Sequence, residues 1–198
     1  MKVSSLLRGV AAVVIGASAA VAQPKSAISH GSWLVGGTAG LSHSNAGGAS
    51  TTTVSFLPLG LYFVADRLAL GGTLDLAHLS NSAGDARFHD TVIGAEPTIR
   101  YFFGDLAGNL LPYLNGAIGP SREHSKSENN GTGSGEQTTT GLDLTGSAGL
   151  MRLLGTHVGL NGEVYYTHRH VSRDLGAATF KSSTDNYGLR FGFNAFVF

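Results

Sequence analysis

Cysteine is absent from the 198 residues, so neither disulfides nor thiolate metal sites contribute to this protein. Proline is scarce, at 5 residues against 29 glycines, a balance that suits closely packed strands better than a disordered linker chain. An excess of positive charge is missing too. Lys and Arg number 13 and so do Asp and Glu, which leaves no basic footprint for nucleic acid. Beyond residue 22 no stretch approaches the ~20 continuous apolar residues of a membrane-crossing helix. If such a chain enters a bilayer, it does so as a closed barrel, because open sheet edges leave backbone groups unsatisfied in lipid.

What is present begins at the termini. Lys2 and Arg8 lead into an apolar stretch from Gly9 to Ala22 that closes on Ala20-Val21-Ala22, a small-x-small pattern. These are the parts of a secretory signal peptide, 1–22, cleaved after Ala22; the run is too short to stay behind as an anchor across ~30 Å of hydrocarbon. Its removal leaves one domain, 23–198, with 11 cations against 13 anions. The chain finishes on Tyr187-Gly188-Leu189-Arg190-Phe191-Gly192-Phe193-Asn194-Ala195-Phe196-Val197-Phe198. So apolar a strand suits a lipid-facing barrel wall and would be a liability on a water-soluble surface.

Eight strand-like runs are predicted, at 33–43, 52–64, 68–79, 91–103, 111–121, 138–154, 157–169 and 183–198. Their connections alternate between compact (Ala65-Asp66-Arg67, Gly104 to Leu110, Gly155-Thr156) and long and polar (Ser44 to Ser50, Ser80 to Asp90, Arg122 to Gln137, Ser172 to Ser182). That alternation is the asymmetry of an outer-membrane barrel, all-β, eight-stranded, antiparallel and up-and-down. Parity supports it. In the seventh run Val158, Leu160, Val164 and Tyr166 alternate with Gly159, Asn161, Glu163, Tyr165 and Thr167, apolar outside and polar inside. The third, fourth and sixth runs alternate likewise. The second does not, since its inner set would be Leu57, Leu59 and Leu61; either the lumen is greasy there or the phase differs. The fifth is ambiguous. Pro58 and Pro97 are expected to mark bulges.

Ser32-Trp33-Leu34-Val35-Gly36-Gly37-Thr38-Ala39-Gly40-Leu41, Pro58 through Gly72, and Arg100-Tyr101-Phe102-Phe103-Gly104 follow one another at strand spacing. Together with the terminal Phe198, this series resembles the small outer-membrane β-barrel protein family, porin-like barrels of eight strands. The resemblance implies insertion in the outer membrane of a Gram-negative bacterium, contact with its lipid and lipopolysaccharide, and delivery to the barrel-assembly machinery by the terminal aromatics Phe196 and Phe198. The members of that family serve varied roles, so fold is implied more than function.

Parity turns Asp75, Glu96, Arg100, Asp143, Glu163 and Arg190 into the lumen, which in an eight-stranded barrel is narrow and filled by side chains. Buried charges must pair, so Arg100 and Arg190 are expected to be clasped by two or more of these carboxylates in a polar plug. A gated ion or solute path is the alternative. His43, His78, His89, His124, His168 and His170 gather toward the long-loop rim with Arg87, Arg122, Lys126, Arg169, Arg173 and Lys181, a set suited to lipopolysaccharide phosphates. His168 and His170 share a strand face and could hold a metal given a third ligand. His78-Leu79-Ser80-Asn81 resembles the His-x-Ser-Asn motif of the lipid A deacylases, with Asp90 or Glu96 as orienting carboxylate, yet it lies too early in the chain and the downstream pattern is missing. Gly131-Thr132-Gly133-Ser134-Gly135 lacks the Gly-Lys-Ser/Thr of a phosphate loop.

The expectation is therefore a structural or surface-interaction barrel working through external loops. No catalytic, cofactor-binding or metal residue is assigned. A lipid A hydrolase using His78 and Ser80, or a small-solute channel, stands as the alternative.

Overall fold

The computed structural model describes residues 28–46, 49–83, 86–103, 109–129, 133–174 and 179–198. The expected signal peptide, 1–22, lies outside them. Eight strands follow in order: β1 (Trp33–Ala46), β2 (Ala49–Ala65), β3 (Leu68–Ala83), β4 (Ala86–Phe102), β5 (Leu110–Asn129), β6 (Gly133–Leu153), β7 (Val158–Asp174) and β8 (Thr179–Val197). Each pairs antiparallel with its chain neighbour, and β1 pairs with β8 from Trp33↔Val197 to Ala39↔Phe191, closing the barrel. No described helix is long and apolar enough to cross a membrane.

Alternation produces the wall. Leu70, Leu74, Ile93, Ile99, Leu114, Leu144, Leu160 and Phe191 stand exposed on the outer face, while their sequence neighbours Ala69, Thr73, Asp75, Glu96, Arg100, Tyr113, Asp143, Asn161 and Arg190 are buried inside. The outer face is thus an apolar band, and aromatic pairs mark its lower edge: Trp33 with Tyr62 at 5.1 Å between ring centroids and Tyr101 with Phe103 at 4.8 Å.

The long polar connections turn out to be mostly strand. β5 and β6 pair from Leu110↔Arg152 out to Asn129↔Gly133, so most of the stretch expected as the loop Arg122 to Gln137 is a hairpin. Ser80 to Asp90 likewise belongs largely to β3 and β4, and Ser44 to Ser50 and Ser172 to Ser182 largely to the flanking strands. The physical reason is continuity of the ladder: a polar, Ser/Thr-rich strand keeps its backbone bonds above the lipid once the pair below has set the register.

One further expectation needs correction. Pro58 and Pro97 mark no register change; among the described residues the register is shifted only between Phe63 and Ala65, at the end of β2 beside its connection to β3. Pairing of β8 to β1 and β7 runs unshifted through Asn194 and Ala195. Phe196 therefore points into the barrel and is buried, whereas Phe198 stays exposed and stacks on His157 at 4.6 Å. At this short-turn rim the segment before β1 folds across the base. Gly31 donates to the Phe63 carbonyl, Arg67 to that of Ile28, and the Ile28 side chain is buried.

Candidate functional site

The lumen is layered. Its lowest layer is apolar: Leu34, Leu61, Phe63, Phe102, Leu111, Met151 and Phe196 pack together, with Phe63 stacked between Phe102 (5.8 Å) and Phe196 (6.4 Å). Leu57, Leu59 and Leu61 all face inward, so the departure of β2 from apolar-out, polar-in alternation reflects a greasy lumen wall and not a phase error. Above this layer the buried residues are largely polar and charged, Asp75, Glu96, Arg100, Asp143, Glu163 and Arg190 among them. β5 resolves too, with Leu111, Tyr113 and Ala117 inside and Leu110, Leu114 and Ile118 outside.

The middle layer is a hydrogen-bonded chain. Asn194 donates to Asn161 (2.6 Å), Asn161 to the Tyr113 hydroxyl (2.9 Å), and that hydroxyl to Glu163 (3.0 Å), which also accepts from Ser147 (3.1 Å). The Arg100 guanidinium lies 4.4 Å from the Tyr113 ring centroid and donates through Nε to Asn115; that of Arg190 lies 3.5 Å from the Tyr165 ring. Glycine makes both platforms. A Cβ on Gly149 would run into the Tyr113 ring, and one on Gly188 would stand 3.0 Å from that of Tyr165. Each ring lies flat on the neighbouring strand and offers its face to a desolvated cation. A polar cavity of about 20 Å³ between Arg100, Arg190, Glu96 and Glu163 is the size of a single water site.

The upper layer centres on Arg169. Its guanidinium donates to both oxygens of Asp143, at 2.8 and 2.6 Å, and lies 3.7 Å from Asp75 and from Glu123. Asp143 also accepts from Ser121 at 3.1 Å. The structure buries all six residues expected in the lumen, Asp75, Glu96, Arg100, Asp143, Glu163 and Arg190, but not in the expected pairing. Aromatic faces hold Arg100 and Arg190, and the clasped arginine is Arg169, expected at the rim. Parity carried two residues past Thr167 would have found it. The carboxylates of Asp75, Glu96 and Asp143 come within 4.8 Å of one another, the only such trio among the described residues, and Arg169 supplies positive charge there.

On the outer face, at and above the upper edge of the apolar band, stand His78, His89, His124, His168 and His170. His43 pairs with Thr52 in β1, and Arg87 with Ser82 in β4; the side chains of His43, Arg87 and Arg173 lie outside the described residues. His168 meets Asp185 at 2.7 Å, and Tyr166 donates to the same carboxylate oxygen at 2.7 Å. The bond from His168, with that from Tyr166, holds the Asp185 carboxyl below the usual carboxylate range. The hydrogen bond and charge of Lys126, 2.9 Å away, do the same for Glu136. No third ligating group joins His168 and His170 among the described residues.

His78 and Ser80 share this outer face, but Asp90 and Glu96, on the opposite parity of β4, belong to the inner one. His78 Nδ1 faces Thr91 Oγ1 at 3.4 Å instead of a carboxylate. A sheet separates the acid from the base, so the His-Ser-carboxylate arrangement is not assembled.

No family model matches the chain, and no curated protein matches it. Solved structures do. Neisserial surface protein A is 18% identical with a TM-score of 0.53, over 83% of this chain and 96% of that one. The outer membrane protein OprG from Pseudomonas aeruginosa is 15% identical with a TM-score of 0.51, over 85% and 97%. The outer membrane enzyme PagL aligns at 14% identity and a TM-score of 0.42, over 83% and 98%, too distant to bear on chemistry. Closed, eight-stranded, apolar outside and filled within, the chain has the fold of the small transmembrane barrels of the outer membrane.

Proposed function

We propose that the protein is a non-conducting barrel of the bacterial outer membrane, exported by residues 1–22, assembled through its terminal aromatics Phe196 and Phe198, and working through the hairpins of its long rim. The observation that supports this reading is the filled lumen of the described residues: an apolar base under a hydrogen-bonded middle and a charge-paired top. In keeping with it, β5 and β6 extend some nine residues past Pro120 and Leu142, the last outward apolar positions, or ~30 Å along the strand. Such a projection suits contact with a neighbouring lipid or a macromolecule outside the cell. A structural and adhesive role asks nothing of a catalytic group.

Planar-bilayer recording of the refolded mature chain tests the reading: it predicts no stepwise conductance, and reproducible single-channel steps would refute it. Heat-modifiable gel migration checks the barrel itself. The lipid A hydrolase alternative is separated by mass spectrometry of lipid A from cells with and without the gene, where an unchanged acylation pattern is expected and a lost acyl chain in expressing cells would reinstate the enzyme.

A further inference from the structure

Directly above the apolar band, β3, β4 and β5 present a continuous basic face. Arg122 pairs across from Ile93, His124 from Thr91 and Lys126 from His89, while His78 pairs across from Thr91 on the other side. His78 and His89 stack, with ring centroids 5.9 Å apart and planes inclined by 12°. The chain neighbours of these groups show how the face is compensated. β2 brings Val54 and Thr52 alongside His78 and Ser80, neither charged. From β6 comes one carboxylate, Glu136, bonded to Lys126 at 2.9 Å and 3.9 Å from His124. Asp90, the acid adjoining His89 in sequence, lies on the inner parity. Among the described residues the stacked pair thus has no carboxylate partner, in contrast to His168 with its Asp185.

We propose that this face binds the phosphate groups of outer-leaflet lipid, and that the His78–His89 pair tightens the binding as the pH falls. The inference rests on the outer-membrane reading and adds to it a location and a regulation. The level is that of lipid headgroups, since Ile93 and Leu76, one step below the pair, still belong to the apolar band. Arg122 and Lys126 supply charge at every pH. Imidazole is the side chain whose charge changes nearest neutrality, so acidification favours cationic rings on this face, a state that a bridging phosphate stabilises better than solvent. A phosphate monoester loses part of its second charge on acidification but keeps the first, so it remains an anionic partner for the pair.

Mature protein in uncharged maltoside micelles, titrated with bis-phosphorylated lipid A and read by native mass spectrometry, tests this at pH 8.0 and 5.5. Two added charges at an anionic lipid surface predict about tenfold tighter binding at the lower pH. The His78→Gln/His89→Gln variant should bring the ratio of the two affinities below about twofold, and Arg122→Gln/Lys126→Gln should weaken binding at both pH values while keeping the ratio. An unchanged ratio in the histidine variant overturns the assignment of the switch. The same ratio with dephosphorylated lipid A overturns phosphate as the group recognised, and inorganic phosphate binding as tightly as the lipid overturns the lipid. Heat-modifiable migration of each variant separates these failures from that of the parent reading, which falls only if the chain does not form a barrel in the outer membrane.

Discussion

Arg169 shows how a single side chain organises the upper lumen. With two bonds to the fully buried Asp143, and Asp75 and the part-exposed Glu123 close by, it neutralises a carboxylate that water does not reach. Removing one partner of a buried pair strands the other, so Arg169→Leu should cost about 3–5 kcal/mol in reversible denaturant unfolding. A loss below about 1 kcal/mol would mean the pair behaves as an exposed one. The Tyr113 platform makes a second prediction. Gly149→Ala places a methyl group where the ring lies, and overpacking of this kind should cost about 1–3 kcal/mol in the same assay. The lumen charges of five strands could be located from alternation alone, but which arginine each acid meets could not, because the register between strands, which sets Asp143 directly opposite Arg169, is not given by spacing along one strand.

At the scale of strands, the hairpins carry the informative chemistry. The β7–β8 pair holds Asp185 against His168 and Tyr166 on the outer face, and these bonds depress its carboxyl. The stabilisation from a depressed acid is present above its ordinary unfolded value and is lost as the pH falls through the lowered folded one. In a carboxyl-resolved NMR titration Asp185 should therefore titrate below an ordinary aspartate, and His168→Gln should move its midpoint upward. An unmoved midpoint would show that the imidazole does not hold it. The length of β5 and β6 was the least legible feature at this scale. Ser, Thr, Gly and charge from Arg122 to Gln137 carry no apolar alternation above the lipid, and alternation is what marks a strand within it.

Over the whole molecule, closure decides whether the barrel is a pore. Phe63, Phe102 and Phe196 come from β2, β4 and β8, far apart in sequence, and meet only because β1 pairs with β8. In planar bilayers Arg190→Leu should leave the barrel non-conducting, because the apolar base remains. Phe63→Ala/Phe196→Ala should open a measurable leak. A leak from Arg190→Leu alone would place the barrier in the polar layers instead.

The number of strands, the alternation of short and long connections, the outer apolar band and the identity of most inward charges follow from local pattern. A residue's face in a β-strand depends on its parity, and parity is written in the chain. The apolar seal, the tyrosine platforms, the Arg169 clasp, the separation of His78 from Asp90 and Glu96, and the basic face across β3, β4 and β5 were decided only by the tertiary structure. Each depends on the register between strands, and the apolar seal also on closure into a ring. These bring together side chains that no sequence spacing relates, and put on opposite sides of one sheet groups that stand a few residues apart.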